Sequence, residues 1–233
     1  MSLSDDLNGA VKEIFEKEWS TRTGQVIPNP EDIKLGNEAV EFEAATVLYA
    51  DLTGSTSLVN TKKWWFSAEI YKTFLYCAAR IVRSQGGSIT SYDGDRIMGV
   101  FIGDSQYASA ARCALKINSA VHDIINPKLK TRYPTANYVV KQVVGIDCSQ
   151  LKAARTGVRG GNDIVWIGRA ANYAAKLTEI KATKSSWLTK DFYEKIPDSV
   201  KFGGDSKKNM WSKYTWNENN DLTIYGSNWK WSV

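Results

Sequence analysis

The first forty residues combine a helical apolar pattern with a stretch typical of a linker. Apolar side chains recur at three- and four-residue spacing near the start of the chain: Leu7, Val11, Ile14 and Phe15. This spacing predicts an amphipathic helix over residues 4 to 19. Residues 21 to 37 carry the Gly, Pro and Asn punctuation of a linker. We therefore divide the chain into an N-terminal helix and linker, residues 1 to 40, and a main domain, residues 41 to 233.

The main domain alternates between strand-like and helix-like patterns. The predicted strands cover residues 42 to 49, two runs within 88 to 101 that flank the dipeptide Asp93-Gly94, residues 138 to 147, and residues 163 to 167. The predicted helices cover residues 61 to 84, 105 to 126 and 169 to 180. The Asp93-Gly94 dipeptide favours a tight type I′ turn between the two runs. The order β-α-β-β-α-β predicts an α+β fold with a ferredoxin-like core, an N-terminal helix and C-terminal additions.

Composition narrows the class of protein. With 43% hydrophobic and 24% charged residues the chain has ordinary globular composition, and its net charge of +5 comes from scattered basic residues. We therefore expect no nucleic-acid partner. Three cysteines far apart, Cys77, Cys113 and Cys148, predict neither a zinc site nor disulfides, and they suit a reducing cytosol. No run approaches the roughly 20 apolar residues of a membrane span, so we expect a cytoplasmic protein without a membrane partner.

Two acidic residues occupy positions that the topology should bring together. Asp51 follows the first strand of the main domain, and Asp95 follows the hairpin turn. Neighbouring strands would place both carboxylates at one end of a sheet, where they repel each other unless a cation lies between them. Oxygen ligands of this kind suit Mg²⁺ or Mn²⁺. The alternative is that Asp51 caps a helix and Asp95 is an ordinary turn residue.

Polar groups beside the first acid and on a later helix extend this pattern. The four residues after Leu52, namely Thr53, Gly54, Ser55 and Thr56, begin a helix, and we expect their amides to point outward and bind phosphate oxygens. Metal ligands next to such amides predict a nucleoside triphosphate. Asn172 and Lys176 are four residues apart and share one helical face, although solvated residues of these types are also common.

Taken together, these segments resemble the catalytic domain of class III nucleotidyl cyclases. The matching stretches are ATVLYADLTGSTSLV, GGSITSYDGDRIMGVF, and VGIDCS followed by IGRAANYAAKL, between residues 44 and 180. The resemblance implies that Asp51, Asp95 and the Leu52 carbonyl hold two divalent cations per site, Mn²⁺ or Mg²⁺. It also implies that Asn172 positions the ribose. Lys176 stands where the family usually has an arginine that neutralises transition-state charge. Lysine keeps the positive charge but cannot form the two parallel hydrogen bonds of a guanidinium.

The resemblance further implies a homodimer with composite active sites. One subunit would supply the metal ligands, and its partner would supply Asn172 and Lys176. The implied reaction converts a nucleoside triphosphate to the 3′,5′-cyclic monophosphate and pyrophosphate.

The positions that read the base in purine cyclases differ in this chain. Ser91 stands where the family has a purine-reading Lys or Glu, and Val165 stands at the second reader, with Asp163 as an alternative if a bulge shifts the register. Tyr49 shares a strand face with Asp51, and its phenol could reach a smaller base; simple packing of Tyr49 is the alternative.

With these departures, the chain most resembles the pyrimidine cyclases of bacterial antiphage signalling, especially uridylate cyclases. That resemblance implies UTP as the substrate, in preference to CTP, and a separate effector protein that reads the cyclic nucleotide. The alternatives are an adenylate or guanylate cyclase and a non-catalytic nucleotide-sensing dimerisation module.

The cation that contacts the triphosphate has several candidates. Lys207, Lys208 and Lys213 all fit loosely. Arg159 and Arg169 are further candidates, each of which would also be ordinary as a solvated loop or helix-start residue.

Overall fold

The structure is a computed structural model that describes residues 2 to 158, 160 to 180 and 183 to 233. Its helices are α1 (Leu3–Glu16), α2 (Ser55–Thr61), α3 (Trp64–Ser84), α4 (Gln106–Ser119), α5 (Asn126–Arg132), α6 (Arg169–Leu177), α7 (Lys190–Lys195) and α8 (Asp198–Lys201). Its strands are β1 (Ser20–Thr23), β2 (Glu38–Leu52), β3 (Ser88–Asp93), β4 (Arg96–Phe101), β5 (Gln142–Val158), β6 (Gly161–Ile167), β7 (Ser186–Thr189), β8 (Phe202–Gly203), β9 (Lys208–Asn209), β10 (Ser212–Trp216) and β11 (Leu222–Ser227).

One large sheet organises the molecule. Nine strands of the described part of the chain belong to it, in the order β10-β11-β7-β5-β2-β4-β3, with β1 added to β2 and β6 added to β5. The long strands β2 and β5 pair antiparallel from one end of the sheet to the other. The strand order β5-β2-β4-β3 and the chain order β2-α3-β3-β4-α4-β5 are those of a ferredoxin-like unit. The predicted α+β fold with this core is therefore confirmed.

Alternating residues of β2 serve two separate cores. Leu48, Ala50 and Leu52 face α3 and α4 in the larger core. Ala45 and Val47 face the opposite side, where the alanines of α6 cover part of the sheet. Because side chains alternate along a strand, the next residues of this second series, Tyr49 and Asp51, point to the same side as α6.

The segment predicted to be a linker contains ordered structure. Strand β1 pairs parallel with the start of β2, and Ile33 is 1% exposed within the core beneath α6. Helix α1, by contrast, has no buried residue and is held at its end by Asn37, whose side-chain amide donates to the carbonyls of Ile14 and Lys17. The domain division after residue 40 stays a prediction.

Several element boundaries differ from those predicted. The helix predicted over residues 61 to 84 is two helices, because Lys62 and Lys63 adopt extended backbone between α2 and α3. The helix predicted to end at residue 126 continues through a π-helical segment, Ala120–Ile125, into α5. The strand predicted over residues 138 to 147 begins later and is much longer, since β5 pairs with β2 and then with β6.

The hairpin between β3 and β4 turns one residue later than predicted. Asp93 pairs with Arg96, so the two turn residues are Gly94 and Asp95. Gly94 has φ +60°, but Asp95 does not have a positive φ. A type I′ turn requires positive φ at both central residues, so that prediction is wrong.

The cysteines lie in different surroundings. Cys113 is fully buried and Cys148 is 2% exposed, whereas Cys77 on α3 is partly exposed. Burial raises the pKa of all three thiols, that of Cys148 to about 11. In the described ranges, no helix combines the length and the apolar character that crossing a bilayer requires.

Candidate active site

The two predicted acids meet at one end of the sheet. Ala50 pairs with Ile97, so Asp51, the next residue of β2, lies at the level of the β3–β4 turn that carries Asp95. Burial raises the pKa of Asp51 to about 6, and the nearby charge of Asp95 acts in the same direction while Arg96 opposes it. The two carboxylates are therefore close enough to repel each other, and a cation between them would relieve that repulsion.

The carboxylates fit a divalent cation. One oxygen of Asp95, Oδ2, is buried and has no hydrogen-bond partner among the described residues. A buried carboxylate oxygen without a donor is costly unless a cation satisfies it. No group of three or more acidic, His or Cys side chains in the described residues could enclose a metal by itself, so substrate or water oxygens would complete the coordination of a hard cation at Asp51 and Asp95.

The turn after Asp51 has the expected glycine but fewer free amides than expected. Gly54 has φ +81° and precedes α2, and a side chain there would meet nothing within 4 Å, so its conformation alone favours glycine. The Thr53 amide donates to the Lys141 carbonyl at 2.9 Å. The expectation that the amides of residues 53 to 56 all point outward is therefore wrong for Thr53. Ser55 and Thr56 lie in the first turn of α2, where amides have no partner within the helix.

Two of the predicted base-contacting residues lie on one row across the sheet. Met98 pairs with both Ser91 and Tyr49, and Tyr49 also pairs with Gly145 of β5. Tyr49 is half-buried, and the Arg96 guanidinium lies 5.1 Å from the centre of its ring. Arg96 was not predicted as a site residue from the sequence. Its position directly after Asp95 on the hairpin could have indicated that it lies beside the carboxylates.

Tyr71 is a second residue that the sequence analysis did not assign to the site. It projects from α3, and burial together with the charges of Asp95 and Asp51 raises the pKa of its phenol, while a hydrogen bond with Ser55 lowers it. The phenol therefore lies beside both the paired carboxylates and the start of α2. Its distance in sequence from either element left no signal to find it.

Asn172 and Lys176 lie on the exposed side of α6, one turn apart. The opposite side of this helix is buried against the sheet through Ala170, Ala174 and Leu177. The charges that shift the pKa of Asp51 are those of Asp95, Arg96 and Asp93, and Lys176 is not among them in the described residues. Asp95, Arg96 and Asp93 are thus the charged neighbours that dominate the surroundings of Asp51 in its own chain.

Val165 lies far from the other predicted substrate contacts. It pairs with Ala154, which pairs in turn with Ala39 at the beginning of β2. Ala39 and Asp51 are 51 − 39 = 12 positions apart on one strand, which corresponds to roughly 40 Å at the usual rise of an extended strand. Within one chain, Val165 is therefore too far from the carboxylate pair to contact the same nucleotide.

Asp163 is the alternative to Val165 as a base-contacting residue, on the condition that a bulge shifts the register of this strand. Its register with β5 is continuous from Gly161 to Ile167, without a bulge. Asp163 and Val165 therefore alternate with the inward residues on one exposed face, and the bulge on which the Asp163 alternative depends is not present in β6.

The remaining candidate cations that the structure describes lie on elements other than those that carry the carboxylates. Arg169, at the start of α6, is paired with Asp147 and Asp191, and Arg159 lies outside the described residues. Lys207 and Lys208 belong to the small β8–β9 hairpin, and Lys213 lies on the edge strand β10.

Comparison with known proteins places this geometry in a family. No protein-family model matches the chain. A uridylate cyclase from Burkholderia cepacia is 55% identical over 100% of both chains, and a uridylate cyclase from Xanthomonas perforans is 47% identical over 100% of both. Among solved structures, a guanylyl cyclase superposes with a TM-score of 0.67 at 14% identity, covering 80% of this chain and 92% of that one. The structural likeness shows the class III cyclase fold, and the full-length relatives give the narrower assignment: the chain belongs to the uridylate cyclase family of class III nucleotidyl cyclases.

Proposed function

We propose that the protein converts UTP to 3′,5′-cyclic UMP and pyrophosphate. The observation that carries the proposal is the paired carboxylates Asp51 and Asp95, one with an unpartnered buried oxygen, in a chain 55% identical over its full length to a uridylate cyclase. When bound, two Mn²⁺ or Mg²⁺ ions would lower the pKa of the ribose 3′-hydroxyl and neutralise the triphosphate. Asp51, Asp95 and the Leu52 carbonyl would hold them.

The active site is composite, formed between two copies of the chain. Dimers are usual among class III cyclases. Two observations support a shared site here: Asn172 and Lys176 are exposed on the outer face of α6, and Val165 lies roughly 12 strand positions from Asp51. In a head-to-tail pair, α6 and β6 of one subunit face the carboxylates of the other. The twofold symmetry of such a dimer gives two equivalent active sites.

The residues of the chain then have separate tasks. Asn172 donates and accepts hydrogen bonds at the ribose, which holds the 3′-oxygen in line with the α-phosphorus. Lys176 places a cation where charge builds up on the transferring group. The amides of Ser55 and Thr56 in the first turn of α2, which follows the Gly54 turn, bind phosphate oxygens.

The base is selected on the row of Ser91, Met98 and Tyr49. Ser91 and Val165 are too short to reach the edge of a purine, whereas Tyr49 offers both a ring and a hydroxyl. The Arg96 guanidinium beside the Tyr49 ring holds that ring in place. This combination favours a smaller, pyrimidine base.

We further infer that the cyclic product is a second messenger. The resemblance to antiphage uridylate cyclases supports a role in the synthesis step of a defence system, in which a separate effector protein would bind cyclic UMP. The chain itself would contact only the nucleotide, the cations and its own second copy.

Separate incubation of the purified protein with each of the four nucleoside triphosphates and Mn²⁺ tests the reaction. Chromatography and mass spectrometry should show cyclic UMP and pyrophosphate in equal amounts from UTP. Cyclic AMP or cyclic GMP as the main product would support a purine cyclase instead, and no product from any nucleotide would support a non-catalytic module.

Matched carboxylate substitutions connect the activity to the site. Asp51→Asn and Asp95→Asn should each abolish cyclic UMP formation. Asp6→Asn, which changes an exposed carboxylate on α1, is the control and should leave both the activity and the metal requirement unchanged. Full activity of either site variant would contradict the metal assignment.

A further inference from the structure

Asp147 is a fully buried carboxylate that the proposed reaction does not use. It lies on β5 with 0% exposure, and its oxygens accept hydrogen bonds from the Thr189 hydroxyl and from Nε and Nη2 of Arg169, the latter two at 3.1 and 3.3 Å. Burial raises the pKa of Asp147, and the hydrogen bonds and the Arg169 charge act against that shift. A carboxylate in such surroundings is maintained only by its donors.

Arg169 is the first residue of α6, and all three nitrogens of its guanidinium donate hydrogen bonds within the chain. Besides Asp147, it donates to the Cys148 carbonyl at 2.9 Å and to the more exposed carboxylate of Asp191. Because the guanidinium is planar, simultaneous bonds to a carboxylate and a neighbouring carbonyl fix its orientation as well as its position. The start of α6 is thereby tied to β5.

A second set of contacts fixes the same end of the helix. The Ala170 amide donates to the Ser149 hydroxyl at 3.0 Å, which satisfies one of the free donors of the first turn. Gly168 lies so close to β5 that a side chain there would meet the Gln150 carbonyl oxygen at 2.6 Å.

The far end of α6 is fixed by close packing. A side chain at Gly145 would overlap the Ala174 carbonyl oxygen, so the helix backbone rests directly on β5. Both ends of α6 are therefore set by β5, and only its outer face, with Asn172 and Lys176, is free.

The Asp147–Arg169 ion pair has one buried and one partly exposed member, and desolvation of the buried carboxylate offsets most of the attraction, so the pair is a poor means of adding stability. Its hydrogen bonds instead define where the start of α6 lies relative to β5. We propose that Asp147 and Arg169 are positioning residues that set the height and rotation of α6, so that Asn172 and Lys176 reach the nucleotide held by the partner subunit. This inference rests on the composite site proposed above. In this role both residues act through the placement of α6 and not through a contact with the substrate.

Subunit mixing tests the proposal. Arg169→Gln should lower kcat at least tenfold with a smaller change in KM, because a displaced α6 weakens interactions that Asn172 and Lys176 make in the transition state. Asp191→Asn, which removes only the exposed partner of Arg169, is the matched control and should change kcat less than threefold. Far-UV circular dichroism and thermal unfolding report whether each variant is folded.

The loss of activity in Arg169→Gln should come only from the half of the composite site that α6 supplies. Mixed with Asp51→Asn subunits, Arg169→Gln subunits supply intact carboxylates and receive an intact α6, so activity should return to about a quarter of wild type after statistical exchange. Mixed with Lys176→Ala subunits, they should regain nothing, because every site then has a defective α6. If Arg169→Gln does not fold, Arg169→Lys keeps the charge without the planar fork and should give the same pattern.

The outcomes separate this inference from the function on which it rests. Rescue of Asp51→Asn by Lys176→Ala is the reference mixture, and its absence would overturn the composite site itself. If that reference succeeds, equal rescue of Arg169→Gln by both partners, rescue by neither, or a wild-type kcat would overturn the positioning role.

Discussion

The Arg96 guanidinium lies 5.1 Å from the centre of the Tyr49 ring, on neighbouring strands at the end of the sheet that carries the paired carboxylates. Arg96 is also bound to Asp93 at 2.9 Å. The tyrosine ring is therefore held between the core beneath α6 and a cation that is itself paired.

Tyr49→Phe tests the hydroxyl separately from the ring. The variant keeps the cation–π contact and the packing, so its thermal stability should stay close to that of wild type. Loss of one hydrogen bond to the base should lower kcat/KM for UTP about two- to tenfold. Tyr49→Ala is the companion variant and should lose more. An unchanged kcat/KM for UTP in Tyr49→Phe would leave Tyr49 with a packing role only.

The pKa of Asp51 predicts how pH acts on the metal-free protein. The folded-state pKa of about 6 lies above the ordinary value of 3.8, so the folded protein binds this proton more tightly than the unfolded chain. Its contribution to stability is complete below about pH 4 and is lost as the pH rises through about 6. Wild type should therefore lose melting temperature relative to Asp51→Asn across this range in chelator-treated protein.

Added Mn²⁺ should reverse that loss. A cation that binds only the folded protein stabilises it, and the carboxylate must be deprotonated to bind. The increase in melting temperature on adding Mn²⁺ should grow between pH 5 and 7 in wild type and be much reduced in Asp51→Asn. An equal increase in both proteins would place the bound cation elsewhere.

Gly145→Ala should displace α6. The new methyl group would overlap the Ala174 carbonyl oxygen and would lie 2.8 Å from the Leu177 Cβ, and neither atom can move without the helix. Overpacking of this kind costs about 1–3 kcal/mol of unfolding free energy. The rate of cyclic UMP formation should fall even at temperatures where the variant is fully folded, because α6 is displaced.

Gly9→Ala is the matched control for that substitution. Gly9 lies within α1, and a side chain there meets nothing within 4 Å. Because alanine favours a helix over glycine by about 1 kcal/mol, the variant should be as stable as wild type or more so. Chemical denaturation of both variants measures the contrast.

Two N-terminal deletions test the domain division. Removal of residues 1 to 16 takes away α1, which has no buried residue, so the sheet should remain folded. Removal of residues 1 to 40 also takes away β1, the buried Ile33 and the first three residues of β2. That shorter chain should unfold at a clearly lower temperature, as measured by circular dichroism. Equal stability of the two would support a division at residue 40.

The sequence was sufficient for the parts of the fold that local patterns specify. The periodicity of residues 169 to 180 identified α6, and the acids beside strand and turn identified Asp51 and Asp95. The length of β5 was missed, because its second half gains its strand structure from pairing with β2 and β6 and not from its own pattern. Contacts between distant segments, such as Tyr71 with the acids or Asp147 with Arg169, left no local signal.

The uneven burial of the thiols makes a practical measurement possible on the unmodified chain. Cys113 and Cys148 are sealed inside the protein, so a maleimide dye should attach at Cys77 on α3. Two batches carrying donor and acceptor dyes would then report the rate at which subunits trade places through energy transfer. That rate sets how long the mixed dimers must equilibrate before their turnover is compared.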